Sequence, residues 1–280
     1  MRLISRIWLI TGASSGLGFA LAEKAVAAGH TVIGCVRKAE DQARIKALGA
    51  NADSHLLDVS SSSAVFDVVD AAAREHGAPD IAVNNAGYGL IGPIEEASEA
   101  EARAQFDVNF FGALWFMQAV LPHMRDKQSG HIINITSVSG LAPWAGTGLY
   151  TASKYALEGL SQTLHDEVAE FGIDVTNVAP GSLRTNFAKG SMRLTQRTID
   201  AYRGAGRVPQ TAYTERAGTE AGDPAKAAAA IFSIAGEPDP PLHLLLGSDA
   251  LGYWRAKQDS MAAEVAAFEH MSRSIQIDEA

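Results

Sequence analysis

The chain has 280 residues, 47% hydrophobic and 20% charged, enough for one large α/β domain with a substantial core. Its formal charge of −9 argues against nucleic-acid binding, because phosphate backbones need a basic surface. A single cysteine, Cys35, excludes an intrachain disulfide and a multi-cysteine metal site, and its apolar surroundings predict a buried structural thiol. With no signal-like leader and no apolar run of membrane-spanning length, the protein is expected to be cytoplasmic and without a membrane partner.

Short apolar, β-branched runs alternate with Ala-rich helical patterns along the whole sequence. Strands are predicted at 7–11, 31–36, 54–57, 81–84, 132–136, 174–178 and 242–246. Most are continuously apolar, as expected for strands covered on both faces. Helical patterns fall at 18–28, 64–75, 99–124, 150–171 and 223–235. This alternation predicts right-handed crossovers and a single doubly wound α/β domain of Rossmann type over residues 1–280, with a mostly parallel seven-stranded sheet and helices on both faces. Two stretches break the rhythm. Residues 183–222, rich in Gly, Thr and Arg, read as a lid-like insertion. Residues 248–280 read as a helical extension with Met261, Val265 and Phe268 on one face, expected to pack on the domain or on a neighbouring subunit.

The first strand runs into Thr11-Gly12-Ala13-Ser14-Ser15-Gly16-Leu17-Gly18 and at once into a helix. Glycines there let the backbone turn sharply and approach a pyrophosphate, while the helix N-terminus offers free N–H groups. The spacing is Gly-x-x-x-Gly-x-Gly rather than GxGxxG. The second strand ends in Arg37 and Lys38 where an acidic residue would serve NAD, which favours NADP(H), with NAD(H) as the alternative. After the third strand, Asp58 is placed either to accept a hydrogen bond from an adenine amino group or to cap a helix.

Further along, Tyr150 and Lys154 are one helical turn apart on one face. A cation held there stabilises phenolate over phenol, which makes the tyrosine a usable proton donor and acceptor. Ser137 precedes the pair on another element with a hydroxyl to offer the same reacting oxygen. Asn109 sits in an otherwise apolar helical run, where a buried amide needs partners.

Taken in order, Thr11–Gly18, Asp58, Asn84-Asn85-Ala86-Gly87, Asn109, Ser137, Tyr150-xxx-Lys154 and Pro180-Gly181 with Thr185 resemble the shorter-chain branch of the short-chain dehydrogenase/reductase family. The resemblance covers about residues 7–249. It implies that Gly12, Gly16 and Gly18, with Leu17 between them, cradle the pyrophosphate, and that Ser14 and Ser15 lie beside the adenosine ribose. It places Arg37 on a 2′-phosphate and Asp58 and Val59 beside the adenine. Asn85, Ala86 and Gly87 would line the cofactor, with Asn84 mainly stabilising the sheet, and Pro180, Gly181 and Thr185 would border the nicotinamide. Catalysis would fall to Asn109, Ser137, Tyr150 and Lys154. Lys154 would also hold the nicotinamide ribose, and Asn109 would support a water linked to Lys154. A core role for Asn109, satisfying backbone groups, stays open beside that one.

These implications define an oxidoreductase that moves hydride between a nicotinamide and a carbonyl or secondary alcohol. Tyr88, Leu90, Trp144, Leu183, Phe187 and Met192 are expected to wall a pocket for a medium-sized, largely apolar small molecule. Arg184, Lys189, Arg193, Arg197, Arg203 and Arg207 make the lid locally basic, read first as solvated residues and second as attraction for an anion. Two alternatives stand beside the reductase: an NAD-dependent catabolic alcohol or hydroxysteroid-like dehydrogenase, and a non-catalytic dinucleotide sensor, which the retained Ser137, Tyr150 and Lys154 disfavour. The family resemblance also implies a homo-oligomer, dimer or tetramer. No metal site is expected.

Overall fold

The computed structural model describes residues 5–185, 187–202, 204, 215 and 218–277. Seven strands form one sheet: β1 (Ile7–Thr11), β2 (Thr31–Val36), β3 (Ala52–Leu56), β4 (Ile81–Asn84), β6 (Gly130–Ile135), β7 (Ile173–Pro180) and β9 (His243–Leu246). Their order is β3-β2-β1-β4-β6-β7-β9, and every pairing is parallel, so the sheet is wholly rather than mostly parallel. The chain winds outward from β1 to β3, then returns to place β4 on the other side of β1. The crevice beyond the carboxyl ends of β1 and β4 is therefore the switch point at which open α/β sheets bind ligands.

Both faces are covered. Helices α3 (Ser62–His76), α5 (Gly112–Lys127) and α6 (Gly148–Val168) close one core around Leu9, Ile33, Phe116 and Ile132. On the other face, α1 (Gly16–Ala27) and α7 (Pro224–Ile234) close a second core around Trp8, Ile10, Leu21 and Ile133. There Trp8 stacks on Phe232 at 5.6 Å between ring centroids. Helix starts carry local signals. Ser61 caps α3, Asp223 caps α7 with Pro224 next to it, and Ser98 with Glu101 forms a capping box on α4 (Glu99–Phe106). Cys35 lies in the core, and burial pushes its thiol up to about 12, as a structural thiol should behave.

Three features were not expected. The polar segment α2 (Ala39–Lys46) is helical although it buries only Ile45. Residues 99–127 do not form one continuous helix, because a π-helical turn over Asp107–Phe111 separates α4 from α5. A second sheet of two short parallel strands, β5 (Gly89–Ile91) and β8 (Met192–Leu194), joins the segment after β4 to the lid-like insertion. The final helix, α8 (Ser248–Arg273), buries only Ala250, and Tyr253 lies against Trp144. Met261, Val265 and Phe268 are exposed, so the apolar stripe does not pack on the rest of this chain. Among the described residues, no helix is long and apolar enough to cross a membrane.

Candidate functional site

At the switch point, the glycine turn is bolted to the end of β4. Thr11 Oγ1 accepts the N–H groups of Asn85 and Ala86, both at 3.0 Å. Asn85 Nδ2 in turn donates to the carbonyls of Thr11 and Gly12, both at 3.0 Å. This close approach explains the glycines. A Cβ on Gly12, whose φ is +64°, would lie 2.9 Å from the Ala86 Cα, and one on Gly18 would lie 2.7 Å from the Gly12 carbonyl and collide with the Asn85 amide. Asn85 thus uses its side chain to fix the turn. Asn84 donates to Asn134 Oδ1 at 2.8 Å inside the sheet, as a structural residue would. Leu17 is packed in the core.

Ser15 is the N-cap of α1 and makes no side-chain cap bond, and the first turn carries no acidic residue. The leading N–H groups of α1 therefore face the crevice uncapped, where an anion finds donors and a favourable dipole. The turn thus fits a dinucleotide pyrophosphate. An adjoining cleft of about 340 Å³ is lined by Gly16, Phe19, Arg44, Arg184 and Thr185 among others.

On the adenosine side, Arg37 and Lys38 are exposed beyond β2, with Lys38 paired to Glu40 at 3.4 Å. Asp58 Oδ1 accepts from the hydroxyl and the N–H of Ser60, and those bonds with the nearby Arg37 hold its carboxyl below the usual range against the effect of burial. Asp58 does not cap α3, since Ser61 does. Val59 turns its side chain into the core against Gly112. The structure adds Arg44, which no motif indicated. Its guanidinium donates to the Ser14 carbonyl at 3.0 Å and covers the Phe19 ring at 3.9 Å, next to the turn. Arg44 lies in a polar stretch with no periodic pattern, which gave no signal in the sequence.

Beyond β6, Ser137 starts a single 3₁₀ turn over Val138–Gly140 and accepts the Ser139 N–H at 3.1 Å, leaving its own proton to donate. Tyr150 lies in the first turn of α6 and Lys154 one turn later, and all three are buried. Burial pushes the Tyr150 phenol above its ordinary value, and a hydrogen bond with the Ser137 hydroxyl opposes that rise. Lys154 is not the dominant influence on this phenol. Its Nζ donates to the Ile135 carbonyl at 2.8 Å, and burial lowers its own value to about 8, opposed by the charge of Glu158. Glu158, one turn further along α6, is a second residue that the motifs did not indicate. Its Oε2 accepts from Asn177 at 2.7 Å, its Oε1 is buried without a partner, and burial pushes its carboxyl up.

Asn109 occupies the π-helical turn, a distortion that often marks functional positions. Its Oδ1 accepts the Tyr88 N–H at 3.0 Å, and its Nδ2 donates to the Tyr88 carbonyl at 2.8 Å and to Ser153 Oγ at 3.2 Å. The side chain clamps the segment after β4 to α6. A Cβ on Gly87 would lie 3.3 Å from Asn109 Oδ1 and 3.6 Å from Lys154 Nζ, which brings the end of the Asn85–Gly87 segment against the buried lysine.

Pro180 ends β7, and the Gly181 N–H donates to the Leu246 carbonyl at 2.8 Å. Asp249, at the start of α8, accepts the Ser182 N–H at 2.8 Å and occupies the space a Gly181 side chain would need. Thr185 accepts the Phe187 N–H at 3.1 Å. Of the expected wall, Phe187 places its ring 6.2 Å from that of Tyr150. Tyr88 is covered by the Arg193 guanidinium at 4.7 Å, Met192 pairs with Gly89, and Trp144 is covered by Tyr253. Leu90 is the buried middle residue of β5, and Leu183 is partly buried against the α1–α7 core. Buried Glu96 anchors the insertion, accepting the Thr195 hydroxyl and the Ile199 N–H. Arg184 donates to the Glu220 carbonyl and Arg197 is exposed; Arg203 and Arg207 lie outside the described residues.

Fold and site together define a dinucleotide-binding α/β protein with a buried Ser–Tyr–Lys group beside its crevice. A family model described as short chain dehydrogenase matches residues 6–194. A short-chain dehydrogenase from Streptomyces avermitilis is similar at 40% identity, with a TM-score of 0.91 over 98% of this chain and 100% of that one. The closed form of serine dehydrogenase complexed with NADP+ is 29% identical, TM-score 0.75, over 86% and 94% of the two chains. A short-chain dehydrogenase/reductase from Burkholderia phymatum in complex with NAD is 25% identical, TM-score 0.82, over 93% and 95%. The chain belongs to the short-chain dehydrogenase/reductase family. It is an oxidoreductase of that family, and its structural neighbours hold NADP or NAD.

Proposed function

We propose that this protein is an NADP(H)-dependent oxidoreductase acting on a carbonyl or secondary alcohol of a medium-sized, largely apolar substrate. The observation that carries the reading is the Tyr150 phenol, buried within hydrogen-bond reach of Ser137, with Lys154 one turn below it. Gly12, Gly16 and Gly18 with the uncapped start of α1 would hold the pyrophosphate, and Pro180, Gly181 and Thr185 would border the nicotinamide. Arg44 at Ser14 and exposed Arg37 beyond β2, near Asp58, would supply the positive charge that a ribose 2′-phosphate needs. When bound, the cofactor gives or takes the hydride.

The chain's own residues manage the proton and the oxygen. In reduction Tyr150, kept protonated by burial, donates its proton to the carbonyl oxygen. Ser137 donates a hydrogen bond to the same oxygen, which strengthens as negative charge grows on it. Lys154 holds a positive charge beneath the phenol and stabilises the phenolate left behind. Asn109 keeps α6 and the Tyr88 segment in register. Phe187, close to the Tyr150 ring, excludes water and favours an apolar group next to the reacting carbon.

Turnover of a ketone and alcohol panel with NADPH and NADH tests the reading. Tyr150→Phe is expected to lower kcat by about 10²–10⁴-fold while cofactor still binds; an active Phe variant ends the mechanism. Tighter NADH than NADPH binding, by fluorescence titration, would favour the NAD-dependent oxidative alternative, which the NAD-bound neighbour keeps in view. Cofactor binding with no turnover across the panel would favour the sensor. For assembly, Phe111 is exposed and stacked on Trp115 of α5, consistent with a homo-oligomer packed through that helix, to be measured by light scattering.

A further inference from the structure

We propose that Asp53, His55, Glu75 and His76 form a zinc site that clamps the carboxyl end of α3 to the edge strand of the sheet. β3 is the terminal strand in the sheet order, with three strands between it and β6, which carries the Ser137 turn. Asp53 and His55 are two residues apart on β3, so their side chains share one face of it. Glu75 and His76 are the last two residues of α3 and bring their groups to that face. One ligand atom from each of the four lies within 4.8 Å of every other. His76 Nε2 is 3.0 Å from Asp53 Oδ2, His55 Nε2 is 3.5 Å from Glu75 Oε2, and His76 Nε2 is 3.9 Å from Glu75 Oε2. Four ligands at zinc bond lengths in a tetrahedron stand roughly 3.3–3.5 Å apart. Three of the six pairs are thus already near the spacing an ion would impose, and all lie within 4.8 Å. Two imidazoles with two carboxylates also match the donors that zinc accepts, whereas calcium and magnesium prefer oxygen alone.

A second observation points the same way. His55 Nε2 is buried and has no hydrogen-bond partner, since its contact with Glu75 lacks hydrogen-bond geometry. An unpaired buried nitrogen is costly, and a metal bond would satisfy it. Lys46 competes, because its ammonium sits 3.0 Å from Asp53 Oδ1 and repels an incoming cation. Ser54 N–H and Lys46 together fix the Asp53 carboxylate with its other oxygen toward His76.

Titrating ZnCl₂ into the EDTA-dialysed full chain by calorimetry tests the site. One zinc per chain is expected, with affinity falling roughly tenfold or more in His55→Ala and in His76→Ala, and rising in Lys46→Ala. Zinc should also raise Tm in the wild type and not in the His55→Ala/His76→Ala double variant. Should an alanine variant fail to fold, Co²⁺ added to the wild type provides the check, because tetrahedral ligation gives intense visible bands that Glu75→Gln should weaken. No zinc binding by the wild type overturns the proposal. So does binding that is unchanged without both histidines, or Co²⁺ bands indistinguishable between wild type and Glu75→Gln.

Discussion

The turn after β1 and the segment after β7 border the same crevice, yet they are held by different means. Around the glycine turn, two N–H groups converge on Thr11 Oγ1 and two carbonyls on Asn85 Nδ2, so backbone is fastened to backbone through two short side chains. Beyond β7, the insertion is tethered at separated points: Asp249 to Ser182, Glu96 to Thr195 and Ile199, and a three-residue pairing of β8 with β5. A phosphate needs one fixed geometry, and many sequences share that ligand. The opposite wall must suit one substrate and admit it, and a few anchors with replaceable side chains between them allow that.

The contrast is broken first by Gly18→Ala. Its added methyl meets the Gly12 carbonyl at 2.7 Å, and relieving such overpacking costs about 1–3 kcal/mol of stability. Cofactor affinity should fall by about tenfold or more in fluorescence titration. The same change at Gly16 makes only ordinary contact with Thr185 at 3.5 Å, so its cost, about 1–2 kcal/mol, comes from a φ of +56° that a side chain resists rather than from a clash. If both variants bind alike, the turn is not the rigid partner. Next comes charge. Arg37→Ala with Arg44→Ala should weaken NADPH by about ten- to hundredfold, the value of one or two charge-assisted contacts, and leave NADH nearly unchanged. Equal losses for the two cofactors would place these arginines elsewhere.

Reaction pH supplies a smaller effect. Burial lowers Lys154 to about 8, so its positive charge is present below that pH and lost above it. The reductive kcat/KM should therefore fall as pH rises through about 8, whereas the oxidative rate, which needs a Tyr150 phenolate, should climb with pH. A flat profile between pH 7 and 9 would contradict that assignment. The smallest change is expected from Glu96→Gln, which keeps an acceptor for Thr195 and Ile199. KM for substrate should rise severalfold with kcat little altered, and Glu96→Ala should do more. An unchanged KM in Glu96→Ala would remove the tether from the description of the insertion.

Much of this was legible in the linear order. Strands buried on both faces announce themselves as continuous apolar runs, and Tyr150 with Lys154 sits at helical spacing. Less visible was whatever depends on one segment landing on another. α2 is polar because only Ile45 faces the core, so no periodicity marks it, and Arg44 reaches Ser14 only because α2 packs on β2 and β3 beside the turn. β5 and β8 are three residues each and pair across about a hundred positions, beyond any local pattern. In the sequence Glu158 is one more helical carboxylate, and only the fold sets Asn177 and Lys154 around it. Even the Asn109 motif hid its means, since a π-helical turn inside an apolar helix leaves no mark on composition.

That turn has a consequence for the surfaces on either side of it. A π-helical turn accommodates one residue more than an α-helical ladder, and each residue turns a helix by about 100°. Insertion at this point re-phases everything downstream, so α4 and α5 present faces that an uninterrupted helix would not align. Phe111 is exposed and Trp115 is only partly buried, while Phe116 and Val120 lie fully in the core. Deleting one residue between 107 and 111 should restore a regular ladder and strain the clamp of Asn109 on Tyr88. A single codon would thus alter the exterior and the reaction centre together.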